Sequence, residues 1–220
     1  MAIIDVAFPL RGGVVPKDHG YALYAAVCKQ SPDLHQAEWL GIHPIGGTVL
    51  GEALVLRSPR GDGGAQLRFR IPSERIVDLL SLAGRALNVA GTRLLLGAPT
   101  VFALHAASSV DARLVLIRLT RPPLGENELL RRKTLDVDGF AARYRQELAR
   151  QLAALGIEGQ VSLMGRRSLS VAGKRVVGYS VRVAGLEDES SLRLQQAGLG
   201  GKRRMGCGLF RPTRVARSRG

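Results

Sequence analysis

Acidic residues are scarce in this sequence. Eighteen Asp and Glu stand against 32 Lys and Arg in 220 residues, a formal net charge of +14 at pH 7. The excess is spread along the chain rather than confined to one tail, and such a field attracts a polyanion, with nucleic acid ahead of an anionic membrane. Cysteine is nearly missing: Cys28 and Cys207 are far apart and neither has a CxxC partner. That spacing argues against a zinc site and a disulfide scaffold, and it fits a reducing cytoplasm. No apolar run approaches the ~20 residues of a transmembrane helix. The opening MAIIDVAFPLRGG is interrupted by Asp5 and has no basic region ahead of it, so it does not read as a secretory signal. A cytoplasmic protein with no membrane partner is therefore expected. Carboxylates at two-metal spacing, a GxSxG elbow and a Walker loop are all missing, so neither a metal nor a cofactor is expected. Aromatic residues make up 5% of the chain. The core must rest on Leu, Val, Ile and Ala, and little is left over for stacking bases.

Hydrophobic residues make up 45% of the chain, enough to bury one compact unit or two small domains. Their periodicity predicts a strand over 3–10, a helix over 19–30 with Asp18 as its cap, and a short second helix opened by Ser31-Pro32-Asp33. Strands follow at 41–45, 53–57 and 66–71, the last two joined by a turn at Arg60-Gly61-Asp62-Gly63-Gly64. A helix capped by Ser73 with Ile76, Leu79, Leu80 and Ala83 on one face comes next, and a strand over 93–101 completes the set. The order is β-α-β-β-α-β, the ferredoxin-like arrangement. It then recurs: a strand at 113–120, an amphipathic helix carrying Phe140, Tyr144, Leu148 and Leu152, strands at 161–171 and 175–183, a short helix opened by Ser190, and a strand at 205–210. The expected fold is α+β, two tandem ferredoxin-like (RRM-like) domains spanning 1–103 and 104–220. A polar loop is expected over 122–133 and a frayed tail after Pro212.

Residues 198–210 read GLGGKRRMGCGLF. Paired glycines reach backbone angles closed to other residues, so successive amides can turn inward around an anion. Gly198, Gly200, Gly201, Gly206 and Gly208 are the candidate backbone, and Lys202, Arg203 and Arg204 the charges at its crest. Every charged residue from Arg193 to the end is Lys or Arg. A basic hairpin carrying Arg166 and Arg167 is a second candidate grip for a nucleic-acid backbone.

The G-h-G-x5-G-h-G pattern, where h is apolar, resembles the signature loop of the CRISPR-associated RAMP endoribonucleases. The N-terminal stretch DVAFPLRGGVVPKDHGYALYAAVCKQSPDLHQAEWLGIHPIGG and residues 176–210 are similar to the variant associated with myxobacterial-type CRISPR loci. The resemblance implies two ferredoxin-like domains and maturation of precursor CRISPR RNA by cleavage within the repeat. It implies a 2′,3′-cyclic phosphate and a 5′-hydroxyl as products. The partner implied is CRISPR repeat RNA, with subunits of a CRISPR effector complex as further partners.

Such cleavage needs no metal. The ribose 2′-hydroxyl attacks the neighbouring phosphorus, a base takes its proton, an acid protonates the leaving oxygen, and cations steady the phosphorane. Histidine suits the proton transfers. The chain has four: His19, His35, His43 and His105. His35 leads, because Leu34-His35-Gln36 is the closest match to an L-H-Q/E pattern of the family. His43 comes next, then His19, whose place at a helix N-terminus suits a neutral ring. His105 falls between the domains. Tyr24 and Tyr21 are available as hydrogen-bonding assistants. Two other readings share much of this pattern: a non-catalytic RAMP subunit binding the CRISPR RNA handle in an effector complex, and an unrelated ferredoxin-like RNA-binding module.

Overall fold

Alternation along the first strand, β1 (Ile3–Arg11), gives it two unlike faces. Val6, Phe8 and Leu10 turn one way into an apolar core, while Asp5 and Ala7 turn the other way. The structure, a computed structural model, describes residues 2–57, 64–119 and 137–213. Residues 60–63 of the turn expected at 60–64, the loop expected over 122–133, and all but Thr213 of the tail expected after Pro212 lie outside them.

After β2 (Val14–Pro16), helix α1 (Gly20–Gln30) lays Leu23, Tyr24, Ala26 and Val27 on the apolar face of β1. A 3-10 turn at Pro32–His35 follows. Then come β3 (Gly41–Ile42), β4 (Gly47–Leu50), β5 (Ala53–Leu56), β6 (Gln66–Pro72), α2 (Val77–Leu80), β7 (Ala86–Val89), β8 (Thr92–Leu96) and β9 (Thr100–Ala103). In space β3-β6-β1-β9 lie side by side, the 2-3-1-4 order of a ferredoxin-like unit. The β7–β8 hairpin pairs with the far end of β1, and β2-β5-β4 form a small separate sheet.

The second unit repeats this order. It comprises β10 (Ser109–Val115), α3 (Val137–Ala154), β11 (Gln160–Val171), β12 (Lys174–Ala184), α4 (Asp188–Ala197) and β13 (Arg211–Pro212), with strands in the order β11-β12-β10-β13. Tyr144, Leu148 and Leu152 of α3, spaced at four, pack on Val110, Tyr179, Val181 and Val183.

Several expected elements are shorter or differently capped. Asp18 does not cap α1, because its carboxylate accepts a hydrogen bond from the Ser170 amide of β11 at 2.8 Å. The expected helix over 73–83 is a 3-10 turn plus the single turn of α2, because Leu82 rather than Leu80 enters the core. Gly84 then leaves with φ +72° and donates its amide to Leu96 O. The strand expected over 93–101 is interrupted at Gly97-Ala98-Pro99, where proline has no amide for the ladder. The strand expected over 205–210 is a glycine loop instead, and pairing resumes only at Arg211.

Arg70 joins the two units and is 1% exposed. It stands directly opposite Asp5 across the β1–β6 ladder, with both side chains turned away from the first core. Its Nε and one terminal nitrogen donate to the two Asp5 oxygens at 2.8 and 3.0 Å, and the other terminal nitrogen donates to Gln195 O at 2.8 Å and Phe210 O at 2.6 Å. A buried ion pair of this kind is costly to break from one side, at about 3–5 kcal/mol.

Candidate active site and nucleic-acid interface

The glycine loop leaves α4 at Gly198 and returns at Gly208. Gly198, Gly200, Gly206 and Gly208 all have positive φ. A β-carbon on Gly208 would stand 2.1 Å from Leu199 O, and one on Gly200 would stand 2.3 Å from Leu116 O. The glycines are thus needed for close packing. The expectation of inward-facing amides is corrected, because those amides are spent inside the protein. Gly200 donates to Gln151 Oε1, Gly201 to Leu116 O, Gly206 to Arg203 O and Gly208 to Leu114 O. What the loop offers a ligand is its side chains.

The three crest cations also part company. Lys202 is exposed. Arg203 turns back to the C-terminus of α4, donating to Ala197 O and Gln196 O at 2.8 and 2.9 Å, where its charge meets the negative end of the helix. That makes it a cap rather than a free grip. Arg204 reaches across to the first unit and donates to His35 O, with its guanidinium 5.5 Å from the centre of the Tyr24 ring.

His35 is exposed at the end of the 3-10 turn. Its ring stacks on Tyr24 with centroids 5.8 Å apart. The Tyr24 hydroxyl lies 2.9 Å from His35 O and 3.1 Å from His35 Nδ1. Burial first, and then the Cys28 thiol, push the Tyr24 phenol up, so it keeps its proton at neutral pH. A phenol has one proton and a carbonyl only lone pairs. Both contacts are satisfied together only when the phenol donates to the carbonyl and Nδ1–H donates to the phenol oxygen. In the neutral ring that tautomer leaves Nε2 with a free lone pair.

The other two candidate histidines are buried, His19 within the wall of a cleft between the two units. His19 has no accessible surface; its Nδ1 pairs with Pro16 O at 2.9 Å and its Nε2 accepts the Ile45 amide at 3.0 Å. Both ring nitrogens are used in holding the loop before α1. His43 is 3% exposed, with Nε2 3.7 Å from Asp5 Oδ1, too long for a hydrogen bond. Burial, opposed by Asp5 and reinforced by Arg70, lowers its pKa from 6.5 to about 4. Between those values the unfolded chain binds a proton that the folded chain refuses, so His43 stabilises the fold above pH 6.5 and that contribution is lost as pH falls toward 4. The loss amounts to about 3 kcal/mol. His19, lowered by burial and then by Arg113, acts with the same sign. Urea midpoints at pH 7 and pH 4.5 should therefore differ less in His43→Gln than in the parent protein; equal differences would contradict this account. His105 is exposed in the connection between the units, and its carbonyl accepts from Gln195 Nε2 at 2.7 Å.

A cleft of about 920 Å³ opens between the two units. Arg166 and Arg167 line it, and Lys17, Arg113 and Arg175 join them against only Asp18 and Glu52. Arg113 donates to Lys17 O at 2.9 Å, tying β10 to the segment before α1. Gly20 permits the close approach here, since a β-carbon on it would stand 2.4 Å from Met205 O. The cleft runs up to Met205–Cys207, the residues that follow Arg204. His35, Tyr24 and Arg204 are not among its walls.

Sequence reasoning missed Arg70, Arg113, Lys17 and Gly20. Asp5 and Arg70 did leave a signal: Asp5 is the one charge in IIDVAF, and Arg70 with Arg68 interrupts the apolar run of QLRFRIP. It becomes readable only once those strands are paired.

Residues 4–215 match the family model Cas6, described as Cas6 Crispr. The chain is also 36% identical over 212 residues to the CRISPR-associated endonuclease Cas6 of Myxococcus xanthus (strain DK1622), a match covering 96% of this chain and 82% of that relative. The chain belongs to the Cas6 family. Solved structures agree at the level of fold. A CRISPR-associated protein Cas6 superposes with a TM-score of 0.61 at 14% identity, covering 96% of this chain and 100% of that one. A Cas6-related protein from Pyrococcus furiosus gives 0.61 at 13% identity, covering 95% and 98%. Like other Cas6 folds, the chain is an α+β pair of ferredoxin-like units, and among its described residues no helix is long and apolar enough to cross a membrane.

Proposed function

We propose that this Cas6 family member is an endoribonuclease that matures CRISPR RNA, cutting the repeat of the precursor without a metal by attack of a ribose 2′-hydroxyl. One observation carries the reading: the basic glycine loop of the second unit meets the turn that carries the exposed imidazole of the first, with Arg204 bonded to His35 O and Tyr24 fixing the ring. The M. xanthus relative is named an endonuclease, and the basic cleft beside the loop supplies the charge that a phosphate chain requires.

In this mechanism His35 Nε2 takes the 2′-hydroxyl proton. The 2′-oxygen bonds to phosphorus and the bond to the 5′-oxygen breaks, leaving a 2′,3′-cyclic phosphate. The proton ends on the departing 5′-hydroxyl, through the imidazolium or solvent. Arg204 faces the charge that grows on the phosphorane oxygens. Lys17, Arg113, Arg166, Arg167 and Arg175 hold the RNA backbone, and Lys202 adds an exposed charge on the loop. The functional division falls between residues 103 and 104, so that base and cation come from different domains.

Purified protein should cut its repeat RNA equally well with and without EDTA. A repeat carrying a 2′-deoxyribose at the scissile position should bind normally and stay intact. Cutting of the deoxy substrate would eliminate the proposed nucleophile, and tight binding with no cutting of the natural repeat would favour a handle-binding subunit.

A further inference from the structure

Two of the three active-site groups, His35 and Tyr24, belong to the first unit, while Arg204 belongs to the second. Their alignment therefore depends on how the units are held together. Two of the bonds between them, Arg113 to Lys17 O and the Ser170 amide to Asp18, are solvent-exposed and border the cleft. The Arg70 bonds are buried and bear on the loop itself. Gln195 lies three residues before Gly198, and Phe210 lies two residues after Gly208. A single guanidinium nitrogen thus holds both stems of the loop. The stems also close on each other, the Leu199 amide donating to Gly208 O at 3.2 Å. The other edge of the guanidinium is fixed to Asp5 in the central strand of the sheet that carries α1. Gly41, paired with Arg70 across β3–β6, keeps the neighbouring position small: a β-carbon there would stand 2.8 Å from Leu209 Cδ2.

We propose that Arg70, oriented by Asp5, is a positioning residue for RNA cleavage: by holding both stems of the glycine loop it sets Arg204 against His35, and so governs the rate of cutting rather than the capture of RNA. This rests on the nuclease reading above. Arg70 touches no substrate, and its geometry explains why a charge is kept where an apolar pair would fill the space. A lysine in its place can face Asp5 but has no planar fork to reach two carbonyls at the same time.

The test uses the full-length protein with Arg70→Lys, and with the paired change Asp5→Leu/Arg70→Met, which removes both charges together. A displacement of the loop by about an ångström should slow single-turnover cleavage about 10²-fold. Repeat affinity should stay within about threefold, because the cleft cations are untouched. Hydrogen exchange over 198–208 should be slow in the parent protein, like that of β1, and faster in Arg70→Lys. A folded variant that cuts at the parental rate would overturn the proposal, as would one whose affinity and rate fall by the same factor. Should both variants fail to fold, exchange in the parent protein still decides, since a loop exchanging freely there is not held by Arg70. Failure of the nuclease reading would look different: the parent protein would not cut, while the exchange comparison would still report on the loop.

Discussion

Alanine in place of His35 should slow single-turnover cleavage of the repeat by about 10³-fold, within the range that a positioned proton-transfer group supplies. Affinity for uncut RNA should change by less than about threefold. His35 is exposed, and its removal leaves every cleft cation in place. The fold should barely notice, since no buried apolar surface is lost. That combination separates His35 from His19 and His43, whose replacement should lower stability first and activity only as a consequence, because both side chains are buried. Added imidazole should restore part of the rate to His35→Ala and none to an inactive variant whose defect is misfolding. Cutting by His35→Ala at the parental rate would remove the base from the mechanism.

Arg204→Ala should be the second large effect, a loss of about 10² to 10³ in cleavage rate, the usual consequence of deleting a group aimed at developing charge. Two contributions combine. The truncated side chain no longer faces the phosphorane, and His35 O loses its partner from the second unit. Arg204→Lys should recover the charge but not the planar fork and regain only part of the rate. Arg203 provides the contrast. It caps α4, so Arg203→Ala should lower the melting temperature while sparing more of the chemistry. If both substitutions slowed cutting equally at equal stability, the division of labour drawn here between neighbouring arginines would be wrong.

The sequence gives away much of this protein because much of it is local or additive. Net charge is a sum, and a sum of +14 points toward a polyanionic partner before any fold is known. The long helix α3 is announced by Tyr144, Leu148 and Leu152, since an apolar stripe at that spacing has one way to be buried. The GLGGKRRMGCGLF segment stands out because glycine and base rarely crowd together. Element lengths were harder. Whether Leu80 or Leu82 enters the core depends on where β8 waits for the chain, and Pro99 splits a run whose apolar pattern alone reads as one strand.

What the sequence determined by itself, then, is the doubled element order, the sign of the field the chain presents and the place of its glycine-rich basic segment. Tertiary structure decided which of three neighbouring histidines is open to solvent, which of three adjacent cations reaches across to the first unit, and that amides of the loop glycines are bonded within the protein. The reason is physical. Burial and hydrogen-bond partners are set by residues distant along the chain: Arg204 meets a carbonyl 169 positions away, and Arg70 meets a carboxylate 65 positions away. No local pattern can encode such a meeting before the strands have found their register.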